Sequence, residues 1–321
     1  MKKLLFAVAV LGLCSCGSNR DSKVNCSADE LFAQPDSVLA HSDEFSDTIV
    51  IKYAKGLKVS YQPDGVHVTV SNPDPNAKMS KKEEFVVSGP SKRFICTTAL
   101  QLGNFEILGL EDRIVGMNSL KNLFSSKMKE QIKDGKTVKI GKEGNFDLES
   151  VLESKPDYIF VSASKHGGFE VLKETGIPLI SHHGYKETDP LGQAEWIKLV
   201  GILTGETRRA NAVFADIEAK YSKLQEEVAN SKTDKMPTVV SGRQIRDGWY
   251  YVGGKSYMAQ IFKDAGAEYV MGDSQESGGV TEDFETVYVK GLKADFWQTD
   301  GAHDGEFTLG DLAAEDERYS S

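Results

Sequence analysis

The sequence predicts an α/β fold of two lobes, each with a parallel-sheet core, joined by one long rigid helix. Three observations carry this. Short apolar strands alternate with helical stretches from Phe94 to Leu203, the pattern of a parallel sheet covered on both faces. After a single long amphipathic stretch the alternation resumes at Thr238. A five-residue motif, Asp147-Leu148-Glu149-Ser150-Val151, returns beyond that stretch as Asp283-Phe284-Glu285-Thr286-Val287, identical or conservative at every position.

The chain has 321 residues, 40% hydrophobic and 27% charged, a globular composition with room for about two domains. Its formal net charge is −10, and no basic cluster interrupts that balance. Phosphate neutralisation needs such clusters, so nucleic acid is excluded as a partner. Attachment to anionic lipid by charge alone is excluded by the same argument.

Residues 1–15 read as a lipoprotein signal peptide. Lys2-Lys3 precede an apolar run from Leu4 to Leu13, too short to span a bilayer. Leu13-Cys14-Ser15-Cys16 resembles the bacterial lipobox, which implies cleavage before Cys16 and a diacylglycerol on its thiol; a plain secretory signal is the alternative. Cys14 fits the modified position less well, because Leu13 would stand where a small side chain is needed. Acyl chains contribute ~0.8 kcal/mol per buried methylene, which is anchorage enough without a spanning helix. Residues 16–45, rich in Ser, Asp, Asn and Ala, form a flexible tether. Of the remaining cysteines, Cys26 falls in that tether and Cys96 in an apolar strand. They read as one stray and one buried thiol, with a disulfide between them as the alternative, and four cysteines without paired spacing make no zinc site.

The N-terminal lobe is expected over 46–205. It opens with a β-hairpin over 48–70, from the β-rich runs Thr48 to Tyr53 and Val66 to Val70 about the turn residues Pro63-Asp64-Gly65. Strand Phe94 to Cys96 then leads to a helix from Ala99 to Leu108, closed by Gly109. Ile114 to Met117 is strand, Val138 to Ile140 strand, Asp147 to Ser154 helix, Tyr158 to Val161 strand, Phe169 to Thr175 helix and Pro178 to Ile180 strand. Asp189-Pro190 supplies an N-cap and a first helical residue for a helix running to Leu203. The linking helix covers 206–231. Ala210, Val213, Phe214, Ile217, Tyr221, Leu224 and Val228 fall at steps of three and four, Gly205 stops the helix before it, and Pro237 lies beyond its end. At ~1.5 Å per residue it is a rod of roughly 39 Å. The C-terminal lobe is expected over 236–321, with strands at Thr238 to Val240, Trp249 to Val252 and Tyr269 to Met271. Helices are expected at Tyr257 to Ala265 and Leu309 to Ala314. It shows fewer strands than the first lobe and reads as incomplete.

Over roughly Pro90 to Tyr319 the chain resembles the substrate-binding lipoproteins of ABC importers for iron siderophores, haem and vitamin B12, the class III periplasmic binding proteins. The resemblance rests on Ser91 to Ile95, Leu110 to Gly116, Asn145 to Val161, Gly201 to Glu206 with the long helix, and Gly253 to Tyr257 leading to Asp264-Ala265-Gly266-Ala267. It implies a ligand held in the cleft between the lobes and little hinge motion. It also implies that Glu149 and Glu285, one on each lobe, meet arginines of a permease dimer that works with its ATPase. Glu282 competes with Glu285 for that role.

Ligands of open parallel sheets bind beyond the carboxyl ends of the strands. The candidate ligand-binding residues there are Thr97, Thr98, Ser119, His183 and Tyr185 in the first lobe and Arg243, Trp249, Ser256 and Tyr257 in the second. Tyr185, Trp249 and Tyr257 would supply aromatic walls, and Arg243 would meet a carboxylate or anionic chelate. His182 and His183 point to opposite faces if extended, so one of them at most enters the cleft. Gly254-Lys255-Ser256 imitates the end of a phosphate loop, but Trp249 stands where that loop needs glycine. The expectation is therefore a monomeric, lipid-anchored, non-enzymatic binding protein of the cell envelope, with no catalytic residues, no metal site and no resident cofactor. It would deliver a siderophore or haem to its permease. A corrinoid ligand is the alternative within the class; a chelatase-like metal-inserting enzyme and a surface scavenger without a permease are the alternatives outside it.

Overall fold

A computed structural model of the 321-residue chain describes residues 36–77, 82–118, 123, 125–142, 144–162, 168–231, 235–245, 248–299 and 308–315. The signal peptide expected over 1–15, and with it Cys16, Cys26 and Ser119, lie outside the described residues.

The chain enters through helix α1 (Asp36–Ala40) and an antiparallel sheet of β1 (Leu57–Gln62), β2 (Gly65–Val70) and β3 (Glu83–Val87). The first lobe then assembles β4 (Phe94–Cys96), α2 (Ala99–Ile107), β5 (Ile114–Met117), α3 (Ser126–Lys133) and β6 (Val138–Lys139). It continues with the small ribbon β7 (Gly141–Lys142) and β8 (Asn145–Phe146), α4 (Leu148–Glu153), β9 (Tyr158–Val161) and β10 (Leu179–Ser181). Its sheet is parallel throughout, in the order β10-β9-β4-β5-β6. Alternate side chains of a strand face opposite ways, and the core divides accordingly. Phe94, Cys96, Met117 and Phe160 join one buried cluster, whereas Ile95, Val115, Ile159 and Val161 join the other.

Three expectations are corrected in this lobe. Residues 48–53 are not a strand, and the hairpin begins at Leu57. The backbone N–H groups of Lys52, Tyr53 and Ala54 donate instead to the carboxylate of Glu195, at 2.7–3.0 Å, so they are unavailable to a ladder. Those of Lys55 and Gly56 donate to Glu187, which also accepts from the Trp196 indole. Glu195 and Glu187 are fully buried, and Lys198 closes the first site at 2.7 Å. The second correction follows from the first. The helix expected from Asp189 to Leu203 is two helices, α5 (Pro190–Ala194) and α6 (Ile197–Thr204). Between them i→i+3 bonds from Lys198 to Glu195 and from Leu199 to Trp196 tighten the backbone. Third, the segment after Phe169 is a 3-10 helix, Glu170–Thr175, ended by Gly176 at φ 73°. Cys96 is a buried free thiol whose pKa burial pushes upward.

The long helix α7 spans Thr207–Asn230. Ala210, Val213, Phe214, Ile217 and Tyr221 all enter the first lobe's core, so the rod is rooted in that lobe rather than shared evenly. Its later turns reach the second lobe through the Tyr221 hydroxyl, which donates to Asp264 at 2.6 Å.

The second lobe contains β11 (Thr238–Ser241), β12 (Arg243–Ile245), β13 (Gly248–Val252), α8 (Tyr257–Asp264), β14 (Glu268–Tyr269), β15 (Gly279–Asp283), α9 (Phe284–Gly291), β16 (Phe296–Gln298) and α10 (Leu309–Glu315). Its parallel sheet has three strands, β14-β11-β16, beside an antiparallel meander, β12-β13-β15. The strand predicted at Trp249 to Val252 therefore belongs to the meander, and the one predicted to reach Met271 ends at Tyr269. The indoles of Trp249 and Trp297 donate to the carbonyls of Ser241 and Gly242, pinning the end of β11 to the neighbouring strands.

Candidate functional site

The carboxyl ends of β4, β5, β9 and β10 lie along one edge of the first lobe's parallel sheet, and Gly278 of the second lobe packs against Lys186 in the turn after β10. At the end of β4 the N–H groups of Thr97 and Thr98 donate to the Gln101 side-chain oxygen, and the Gln101 amide donates to Ser162 beyond β9. This network fixes two neighbouring strand ends in one geometry. Thr97 is buried, while Thr98 is half-buried at the start of α2. Past β10, His182 and His183 are both buried about Trp196, with ring centroids at 4.6 and 6.4 Å. His183 as a cleft residue is thus corrected: the turn Gly184–Lys186 that follows it is 3-10, not extended, and folds both imidazoles inward. Burial, and secondarily His183, pushes the His182 pKa down to about 3. Tyr185 is half-buried, with the Lys186 ammonium 5.8 Å from its ring centroid.

Two further expectations are corrected in the second lobe. Trp249 is not a wall of the cleft but a member of the lobe's core, packed against Phe284 and Trp297. Strand alternation gives the reason: Trp249 and Tyr251 share the buried face of β13, and Tyr250 takes the exposed one. Ser256 is the buried N-cap of α8, accepting from the Ala259 N–H and donating to the Gly253 carbonyl, so its hydroxyl serves the helix. Gly253 and Gly254 let this turn approach the backbone of 272–278, where a Cβ would run into the carbonyl oxygens of Gly272, Ser274, Glu276 and Gly278. The phosphate-loop imitation is thereby explained as close packing. Arg243 pairs with Tyr250 in the strand register. The phenol of Tyr257 is pushed up by burial and then by nearby Tyr250. Arg243, Tyr250 and Tyr257 thus form one neighbourhood, and alternation along Trp249-Tyr250-Tyr251 was the signal for Tyr250.

The lobes meet at a junction that local sequence does not reveal. Lys186 pairs with Asp74 at 3.0 Å, their side chains only 15% and 8% exposed. Burial opposes the charge on Asp74, but the Asn76 N–H, the Lys186 ammonium and the Ser277 hydroxyl outweigh it and hold its pKa below the ordinary value. The Asn76 amide donates to the Gln275 carbonyl. The loop after β2 therefore straps the first lobe to the 275–278 turn of the second. Among the described residues, no cluster of three or more His, Cys, Asp or Glu is arranged to hold a metal ion. The arrangement offers phenols, one guanidinium and loop hydroxyls, a set suited to holding a ligand by stacking and hydrogen bonds.

Glu149 and Glu285 occupy matching places, each exposed and second in its helix. Asp147 caps α4 by accepting from the Ser150 N–H, and Asp283 caps α9 by accepting from the Thr286 N–H. Glu282 is taken up by the fold: it is half-buried and bonded to the Tyr251 phenol, which burial and then this carboxylate push up to about 12.

Comparison with known proteins agrees with this architecture. An uncharacterized lipoprotein of Methanocaldococcus jannaschii is 23% identical over 341 residues, covering 92% of this chain and 80% of that protein. A periplasmic binding protein from Veillonella parvula superposes with a TM-score of 0.59 at 17% identity, over 79% of this chain and 84% of that one. An ABC-type Fe3+-hydroxamate transport system protein from Saccharomonospora viridis gives 0.56 at 16% identity, over 74% and 83%. A periplasmic heme binding protein from Pseudomonas aeruginosa gives 0.54 at 18%, over 72% and 79%. At these identities the structures speak for the fold alone. The family model described as periplasmic binding protein matches residues 95–288, well over half of the chain, and the protein belongs to that family.

Proposed function

We propose that this protein captures an iron complex, a siderophore or haem, outside the cytoplasm and delivers it to an ABC permease dimer driven by its ATPase. The observation that carries the reading is the pair of exposed glutamates at equivalent helix starts on two lobes linked by one continuous helix. Single exposed ion pairs are weak, but two held at a fixed separation select orientation and raise the encounter rate. The ligand class is supported by the fold neighbours from Saccharomonospora viridis and Pseudomonas aeruginosa, an Fe3+-hydroxamate transport protein and a heme binding protein, and by the aromatic and cationic groups Tyr185, Tyr250, Tyr257 and Arg243. Thr98 adds a hydroxyl at the opposite strand end. The protein acts as a monomer, catalyses nothing, and is held to the envelope by lipid on Cys16. The lipoprotein relative from Methanocaldococcus jannaschii supports that anchorage.

The test is the absorbance spectrum of the full chain purified from its native cells. A Soret band or an iron–siderophore charge-transfer band is expected. A corrin band would transfer the ligand to cobalamin, and insertion of metal into a porphyrin by the purified protein would replace capture with chemistry.

A further inference from the structure

The repeat extends past the residues that define it, and its exposed positions are not purely acidic. Asp147 to Ser154 aligns with Asp283 to Lys290 without a gap. In both copies the aspartate caps the helix, the hydroxyl residue three places on returns a hydrogen bond to the same carboxylate, and the valine that follows is buried. The glutamate between them is exposed in both, and among the described residues neither glutamate forms an ion pair. Three residues beyond each glutamate, one helical turn along the same face, stands a large apolar side chain left in solvent: Leu152 at 52% exposure and Tyr288 at 37%. In the second lobe Val289 at 73% and Leu292 at 62% widen that patch. Four of the eleven large hydrophobics exposed among the described residues therefore belong to these two helices and the residue after one of them.

One exposed leucine needs no explanation. The same acid-plus-apolar pairing, held at equivalent places by the same cap, is a surface with a use. Each helix is joined by a short turn to the parallel strand after it, β9 or β16, so each helix start lies at the carboxyl edge of its sheet. Building on the delivery reading above, we infer that Leu152 and Tyr288, the latter with Val289 and Leu292, are the apolar half of a two-point docking surface. The partner presents, at two symmetry-related places, a basic side chain bordered by an apolar surface. Charge selects a protein of that description over the other occupants. A second copy of this chain would set glutamate against glutamate, and an anionic bilayer would repel both the acidic caps and a chain of net charge −10. A two-fold permease dimer offers two matching places on one body. The points are unequal, since Glu153 in the first lobe stands where Val289 does in the second. The second lobe thus contributes more by exclusion of water and the first more by charge.

The test uses the full-length lipidated chain in its native cells. Photocrosslinking phenylalanine at positions 152 and 288 is expected to capture one and the same polytopic membrane protein, while the same probe at the exposed positions 50 and 245 does not. Leu152→Ser with Tyr288→Ser should cut cellular accumulation of radio-iron roughly tenfold, the size of a moderate hot spot. Val289→Glu with Leu292→Glu, at positions without packing to lose, should do the same with the thermal melt unchanged. If Glu149→Gln with Glu285→Gln cuts accumulation and the apolar variants do not, the apolar half is overturned and the delivery reading stands. If neither set has an effect, the delivery reading itself fails. Capture of two unrelated proteins by the two positions would also overturn the inference.

Discussion

The two lobes carry the same acidic helix start on very different supports. In the first lobe five parallel strands are filled on both faces, and a belt of backbone at 52–56 is tied down by two buried glutamates. In the second, three parallel strands lean on an antiparallel meander, and a much smaller core is organised by tryptophans bonded to carbonyls. A local motif of eight residues is evidently indifferent to the sheet behind it. It needs a capping aspartate, one inward valine and a helix of two turns, and both lobes supply these. What differs is how each lobe resists loosening, and that can be measured.

The largest effect is expected at the first lobe's belt. Glu195→Ala removes the acceptor of three backbone N–H groups and leaves the buried Lys198 ammonium without its carboxylate, with only the Val50 carbonyl and the Phe214 ring beside it. The cost is about 3–5 kcal/mol, read by urea unfolding. A loss below about 1 kcal/mol would mean that the belt contributes little and that the two lobes are closer in design than described.

A pH-dependent difference should follow from His182. Its native pKa, near 3, lies far below the ordinary value of 6.5, so below pH 6.5 the unfolded chain binds a proton that the native chain refuses. Stability contributed by this depressed group is present above pH 6.5 and is lost as pH falls toward 3, at about 1.4 kcal/mol per pH unit. His182→Asn should flatten the acid side of the stability profile by that slope. An unchanged slope would place the first lobe's acid sensitivity elsewhere, and not at buried Glu187, whose pKa burial raises and which therefore acts in the opposite sense.

The smallest effect is expected in the second lobe. Ser256→Ala removes the N-cap of α8 and should cost about 1 kcal/mol, seen as a shift in denaturation midpoint. Ligand affinity, followed by titrating the chelate recovered with the protein, should stay unchanged, because the hydroxyl serves Ala259 and Gly253. A loss of affinity at constant stability would return Ser256 to the ligand.

Most of the secondary structure was legible because its causes are local. Alternation of short apolar runs with helical periods identified the strands about Phe94, Ile114 and Tyr158, and the three-four spacing from Ala210 to Tyr221 identified the long helix. Aspartate before proline identified the cap at Asp189, while the caps at Asp147 and Asp283 emerged only from the structure. The candidate site was less legible. Trp249 and Tyr250 are adjacent, and only their phase against the sheet decides which one faces the core. Whether two adjacent histidines point apart depends on a turn that the Trp196 side chain helps to pack.

By itself the sequence determined the class of fold, the rod, the repeated glutamates and the family, since each rests on neighbours a few residues apart. Only the tertiary structure decided that residues 48–53 form no strand, that Asp74 meets Lys186 beside the junction where Asn76 reaches Gln275 of the second lobe, and that the rod belongs to one lobe more than the other. The physical reason is range. The partners of Lys52 and Gly56 lie 143 and 131 residues away, and the Asp74–Lys186 pair spans 112. A hydrogen bond or ion pair over such separations is chosen by which surfaces pack together, and no local pattern in the chain encodes it.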